Sequence, residues 1–92
     1  MEPNHVEGTN KGKVVLYALS TCVWCKKTKH LLKQLGVEYD YYDVDLLRKA
    51  DKDKVIEEVK KFNPVATFPT IIINDEHCIK GYKEDEIKEA LG

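Results

Sequence analysis

The sequence predicts an α/β protein in three layers, in which a four-stranded mixed sheet is flanked by helices and the elements follow the order βαβαββα. Three observations lead to this prediction. Residues 14–19 form a continuously apolar run, typical of a strand buried on both faces. A segment with helical spacing separates this run from a second strand, and such a unit makes the two strands parallel. Two short strands joined by turn residues then precede a last helix.

The first strand and the first helix are predicted within 13–36. The run 14–19 begins with β-branched residues, and Ser20 and Thr21 then supply residue types that cap helix N-termini. We therefore expect Cys22 at the N-terminus of a helix. The residues that recur at helical spacing before Gly36 are Trp24, Thr28, Leu31, Leu32 and Leu35.

The second half of the chain predicts the remaining elements in order. Residues 37–44 are rich in tyrosine and alternate in part, which indicates a strand. A helix ends before Pro64, although its start between 45 and 53 is open. Residues 70–73 and 77–80 predict a hairpin, and 83–91 predict a last helix with an acidic first turn. The apolar positions of the second helix are Val55, Ile56, Val59 and Phe62.

The chain of 92 residues is long enough for one modest core, so we expect one domain over 13–92. Residues 1–12 hold one apolar residue away from the terminus among polar, proline and glycine residues. They bury too little surface to offset the entropy of ordering, so we expect a flexible tail. His5 is interpreted as a solvated residue of that tail.

Charge and hydropathy exclude several partners. Fifteen basic and sixteen acidic residues leave a net charge of -1, which gives no reason to expect nucleic acid or anionic lipid as a partner. No apolar run approaches the ~18 residues of a membrane span, and the first residues lack the order of a secretory signal. We expect a cytoplasmic monomer.

Two of the three cysteines form a Cys-x-x-Cys pair, which in a reducing compartment indicates redox chemistry or metal binding. A thiolate at Cys22 is stabilised by the free N–H groups and the dipole of the helix N-terminus. Cys25 lies about one helical turn further on. We expect Cys22 to be the catalytic nucleophile and Cys25 the resolving thiol, without an organic cofactor or a metal.

The third cysteine and two of the histidines lie outside the Cys-x-x-Cys pair. Cys78 is expected to pack as a small apolar residue on the last strand. His30 and His77 are possible zinc ligands beside the cysteine pair, but neither falls at the spacing of common zinc modules.

Three segments, 16–25 (LYALSTCVWC), 67–70 (TFPT) and 80–82 (KGY), resemble the glutaredoxin family in order and spacing. The resemblance extends over about 13–91 and implies a thioredoxin-like fold. It also implies that Pro69 follows a cis peptide bond and faces the cysteines, with the backbone of Phe68 open to pair with an extended substrate.

The resemblance further implies where substrate binds. Tyr82 lies at the expected rim of the site, and Trp24 is a candidate surface for stacking on a partner. We expect the substrates to be disulfides of proteins or small molecules, reduced with electrons from another protein or a low-molecular-weight thiol. The residues expected to contact substrate are Val23, Trp24, Lys26, Thr67, Phe68, Pro69, Gly81, Tyr82 and Lys83.

The sequence also departs from the glutathione-using members of the family. Leu19 stands where a lysine commonly binds the glycyl carboxylate of glutathione, and Lys80 replaces the first glycine of a Gly-Gly pair. Cys-Val-Trp-Cys replaces Cys-Pro-Tyr-Cys. These features are similar to glutaredoxin-like redoxins that serve ribonucleotide reductase, or to related proteins of anaerobes. Glutathione stays a possible co-substrate, with Lys26, Lys80 or Lys83 as replacements for the missing contact.

The main alternative is an iron–sulfur carrier. In some glutaredoxins, the first cysteine of two subunits and two external thiols hold a [2Fe–2S] cluster. Here that cysteine is Cys22, and Val23 in place of the usual proline is compatible with such a cluster.

Overall fold

A computed structural model describes residues 2–92. The strands in this range are β1 (Asn4–Val6), β2 (Val14–Ala18), β3 (Tyr39–Asp43), β4 (Thr70–Ile73) and β5 (His77–Lys80). The α-helices are α1 (Val23–Gln34), α2 (Lys49–Phe62) and α3 (Glu84–Leu91), and a short 3-10 helix occupies Val44–Leu46. From β2 onward the strands and α-helices follow the predicted order βαβαββα.

The strands form one mixed sheet in the order β1-β3-β2-β4-β5. β2 and β3 are parallel, with Val15 opposite Asp40, as predicted for a unit with a connecting helix. β4 is antiparallel to both β2 and β5. The mixed sheet is confirmed, but the prediction of four strands is wrong because residues 4–6 add a fifth within the described range.

β1 lies within the segment 1–12 for which the sequence predicts a flexible tail, and it gives residues 4–6 of that segment a regular structure; Met1 lies outside the described residues. β1 pairs antiparallel with β3, and the Thr9 N–H donates to the Gly36 carbonyl at 2.7 Å. A Cβ on Gly8 would lie 2.6 Å from that carbonyl oxygen, so glycine permits the close approach. The expectation of a flexible tail rests on the small amount of apolar surface in this segment alone. The order here comes mainly from the backbone groups of an edge strand, which need hydrogen-bond partners.

His5 contributes side-chain contacts to the same edge of the sheet. Its Nδ1 lies 2.6 Å from Asp40, and its Nε2 lies 3.3 Å from Glu7 and 3.4 Å from Glu38. The hydrogen bond with Asp40 is the largest cause that raises the pKa of His5 above 6.5. His5 is exposed, as expected, but it is held among three carboxylates.

This arrangement predicts that β1 docks more firmly at acidic pH. A raised pKa in the folded state means that the stabilisation is fully present below 6.5 and is lost as pH rises through the folded-state value. Hydrogen exchange of the amides of β1 that pair with β3, corrected for intrinsic rates and compared between about pH 6 and about pH 9, should show weaker protection at the higher pH. His5→Gln should remove this dependence. An unchanged pH profile in that variant would contradict the assignment to His5.

The core lies on both faces of the sheet, which gives the three predicted layers. On one face, Leu16 and Ile71 pack with residues of α1 and α3, such as Leu32 and Ile87. The other core cluster joins residues of the sheet and α2 and contains Val15, Tyr17, Val44, Val55, Val59 and Ile72. β2 is buried along its whole length, as its apolar run predicts. Its C-terminal end leads directly into the short loop that ends at Cys22, the N-cap of α1.

Within residues 2–92, none of the helices has both the length and the apolar character needed to cross a membrane.

Candidate active site

Cys22 caps the N-terminus of α1, as the sequence predicts. Its backbone is extended, with φ -83° and ψ 120°, and its Sγ accepts a hydrogen bond from the Cys25 N–H at 3.3 Å. The Cys22 carbonyl accepts from the Lys26 N–H at 3.0 Å and so begins the helical hydrogen bonds. A sulfur that accepts a backbone N–H at a helix N-terminus is well placed to carry negative charge.

Cys25 is in a different environment from Cys22. Cys25 is fully buried, whereas Cys22 is partly exposed, and both are free thiols. Burial, followed by the hydrogen bond with Cys22, raises the pKa of Cys25 to about 12. Cys25 therefore stays protonated at neutral pH. Cys22, by contrast, is accessible from solvent at the N-terminus of the helix.

Asp45 holds the loop between β2 and Cys22. One carboxylate oxygen of Asp45 accepts the Ser20 N–H at 2.8 Å, and the other is bonded to the Ser20 hydroxyl. These bonds lower the pKa of the Asp45 carboxyl. Sequence analysis missed this residue because the pairing joins positions 25 residues apart, with no local motif to mark it.

The second segment of the site contains Pro69. The Phe68–Pro69 peptide bond is cis, as the resemblance implies. Neither the N–H nor the carbonyl of Phe68 is hydrogen-bonded within residues 2–92, so the backbone is open there. The structure brings several of the expected contact residues to one small groove of about 240 Å³, lined by Trp24, Phe68, Pro69, Gly81 and Tyr82.

A buried amide supports the loop before Pro69. Asn63 is 2% exposed, and its Nδ2 donates to the hydroxyl oxygens of Thr67 at 3.0 Å and Thr70 at 3.1 Å. The Thr70 hydroxyl in turn donates to the Thr67 carbonyl at 2.6 Å. Thr67 therefore supports the loop through its side chain. Sequence analysis did not single out Asn63; its position between the end of a helix and Pro64 was the available signal.

We expect Asn63→Ala to lower the free energy of unfolding by about 1–3 kcal/mol, because two threonine oxygens would lose their buried donor. Urea denaturation followed by circular dichroism measures this change. Asn10→Ala is the control, since the Asn10 side chain is also hydrogen-bonded, accepting the Gly12 N–H at 2.7 Å, but in an exposed turn. Equal stability losses in the two variants would contradict a special role for the buried amide.

A second groove, here called the α1 groove, runs along the outer side of α1. It has a volume of about 440 Å³ and is lined by three of the expected contact residues, Val23, Lys26 and Tyr82. Tyr82 lines both this groove and the smaller one beside Pro69. Lys83, by contrast, lines a separate depression beside the acidic first turn of α3. The residues of the α1 groove are Val23, Lys26, Lys27, His30, Leu31, Gln34 and Tyr82.

The histidines do not complete a metal site with the cysteine pair in the described part of the chain. His30 lies in the α1 groove, and His77 lies 3.7 Å from Glu86. Within residues 2–92, the group of ligand atoms close enough to hold an ion is that of His5, Glu7 and Glu38, all of which lie at the β1 edge.

The sheet order, the helix-capping Cys22 and the buried Cys25 define a class of protein: a thioredoxin-fold protein with a Cys-x-x-Cys pair at the start of a helix. The family profile described as Glutaredoxin matches residues 14–78. This chain therefore belongs to the glutaredoxin family, which confirms the resemblance and indicates a thiol–disulfide oxidoreductase type of activity.

Individual relatives agree with this assignment. The glutaredoxin-like 8.6 kDa protein of the rubredoxin operon of Clostridium pasteurianum is 35% identical over 78 residues, which cover 85% of this chain and 96% of the relative. The crystal structure of the glutaredoxin from Methanosarcina mazei Go1 matches with a TM-score of 0.92 and 56% identity, over 100% of this chain and 89% of that one. Methanosarcina acetivorans methanoredoxin matches with a TM-score of 0.90 and 56% identity, over 92% and 90% of the two chains.

Proposed function

We propose that this protein is a dithiol disulfide reductase that acts on disulfides of proteins or small molecules, with Cys22 as nucleophile and Cys25 as resolving thiol. The observation that carries the proposal is the asymmetry of the pair. Cys22 is accessible and accepts the Cys25 N–H at 3.3 Å, whereas Cys25 is buried with its pKa raised to about 12.

The reaction follows from this asymmetry in two exchanges. The Cys22 thiolate attacks one sulfur of the substrate disulfide, a Cys22–substrate disulfide forms, and the other substrate sulfur leaves as a thiolate. Cys25 then attacks the Cys22 sulfur, and its proton goes to the departing substrate thiolate. The Cys22–Cys25 disulfide forms, and the substrate is reduced by two electrons.

The raised pKa of Cys25 separates the two steps in time. A protonated, buried Cys25 does not compete with Cys22 for the incoming disulfide. Once Cys22 is in a mixed disulfide, its negative charge is gone, and so is one of the effects that raise the pKa of Cys25. Resolution therefore becomes easier after the first attack.

The electron donor is part of the same proposal, namely another protein or a low-molecular-weight thiol. Leu19 packs beside the core cluster on the α2 side and supplies no cation for a carboxylate of glutathione. Lys26, in the α1 groove, is the best placed of the three proposed replacements because it lies one residue from Cys25. The relative encoded in a rubredoxin operon supports the link to redoxins outside the glutathione-using group.

The test compares steady-state disulfide reduction with two electron sources: glutathione with its reductase, and NADPH with thioredoxin reductase. Turnover with either supports the proposal and identifies the donor class. Failure with both, together with visible charge-transfer bands in anaerobically purified protein, would instead support the [2Fe–2S] carrier.

A further inference from the structure

Exposed apolar side chains are concentrated on the segments around Cys22. Four large apolar residues are strongly exposed within 2–92, from 53% for Trp24 to 78% for Val65. Val23 and Trp24 lie between the two cysteines. Leu46 follows Asp45, which holds the loop before Cys22, and Val65 lies in the loop that leads from α2 to Pro69. Exposed Val23 and Trp24 directly after the thiol of Cys22 fit a protein partner better than a small polar one.

The charged residues of α1, the helix that carries Val23 and Trp24, are all basic. α1 contains four lysines and no aspartate or glutamate, in a chain whose net charge is -1. Lys29 is paired with Asp43 at 2.8 Å. Lys26 and Lys27 form no salt bridge with any carboxylate of residues 2–92, and no acidic residue lines the α1 groove. The groove therefore offers cations that have no carboxylate partner within the described chain.

Aromatic contacts join the cationic and apolar surfaces. Trp24 stacks on Tyr82 with ring centroids 5.7 Å apart, and the Lys27 Nζ lies 4.7 Å from the centre of the Trp24 ring. Since Tyr82 lines both grooves, a segment that pairs with the open backbone of Phe68 reaches the α1 groove by passing over Tyr82 and Trp24. One extended partner segment can therefore occupy both.

We propose that the α1 groove is the docking site for an acidic segment of a protein substrate, with the reactive disulfide at Cys22 and carboxylates over Lys26, Lys27 and His30. An apolar side chain next to the disulfide packs on Trp24. The inference rests on the proposed function and specifies its substrate class. Charge complementarity at such a surface accelerates association and makes it sensitive to salt.

Three disulfide-containing peptides test the proposal. They share one apolar core sequence around the disulfide and carry flanking glutamates, glutamines or lysines. For the unmodified protein, kcat/KM for the glutamate peptide should exceed that for the lysine peptide by roughly tenfold at low ionic strength and should approach it in high salt. The double variant K26E/K27E should reverse the preference.

Comparing the three peptides on the same variant separates the effect of docking from the effect of thiol reactivity. All three peptides meet the same Cys22 thiolate, so any change in its nucleophilicity cancels in the ratio of their kcat/KM values. Lys33→Glu is the control and is matched in charge to the single variant Lys26→Glu, because Lys33 is an exposed lysine of α1 that does not line the groove. It should keep the preference for the glutamate peptide.

Several outcomes would overturn the proposal. Equal kcat/KM values for the three peptides would show that the α1 groove does not dock acidic segments, and the proposed reductase activity would still hold. No turnover of any disulfide would mean that the proposed function itself fails. Loss of the preference in Lys33→Glu to the same extent as in the double variant would show a general charge effect. Stronger inhibition by a single-stranded oligonucleotide than by a glutamate peptide of equal charge would assign the groove to nucleic acid.

Discussion

Cys22→Ser should lower the rate of disulfide reduction by at least about a thousandfold, as the loss of a covalent nucleophile does in other enzymes. Serine keeps the size of the side chain and can still accept the Cys25 N–H, so the fold should be retained. A hydroxyl is not ionised at neutral pH and does not exchange with disulfides. Steady-state reduction of a small disulfide measures the effect.

Cys78→Ser is the matched control for this loss. Cys78 is a partly buried thiol on β5, and burial raises its pKa. Its removal should leave the rate within about twofold, because it has no place in the exchange steps. Full activity in Cys22→Ser, or an equal loss in Cys78→Ser, would refute the assigned nucleophile.

Cys25→Ser should stop turnover of protein disulfides at the mixed disulfide. Cys22 keeps its hydrogen bond from the backbone N–H of residue 25, so the first attack should proceed. No buried thiol then remains to attack the Cys22 sulfur. Mass spectrometry under non-reducing conditions should detect a covalent complex of enzyme and substrate in a one-to-one ratio.

Dithiothreitol should release that complex, and Cys22→Ser/Cys25→Ser should form none. A Cys25→Ser variant that turns over protein disulfides at the normal rate without added thiol would show that Cys25 is not the resolving group. Turnover that returns only with a small thiol would instead show that an external thiol can replace Cys25.

Local patterns explain why much of the fold and the site could be predicted. The apolar run 14–19 can be buried on both faces only as a central strand, and it places Cys22 at the start of a helix. The Thr-Phe-Pro-Thr segment carries part of the family resemblance, and that resemblance predicts the cis bond before Pro69. Each of these features depends on residues that are close in sequence.

Features that depend on distant residues were missed. Asp45 reaches back to Ser20 across 25 positions, and Asn63 supports a loop through hydroxyl groups that carry no sequence signature. β1 was missed because it is held by backbone hydrogen bonds to β3, and the apolar pattern of a sequence gives no sign of such bonds. Long-range polar contacts of this kind become visible only when the chain is folded.

The short strand β1 also changes how the molecule meets its neighbours. Without it, the five-residue, tyrosine-rich strand β3 would be the outermost strand on that side, with unpaired backbone groups that invite edge-to-edge association between molecules. With β1 in place, the two outermost strands are only three and four residues long and carry histidine and lysine side chains. We therefore expect the N-terminal segment to reduce edge-to-edge association at the side of the sheet remote from β5.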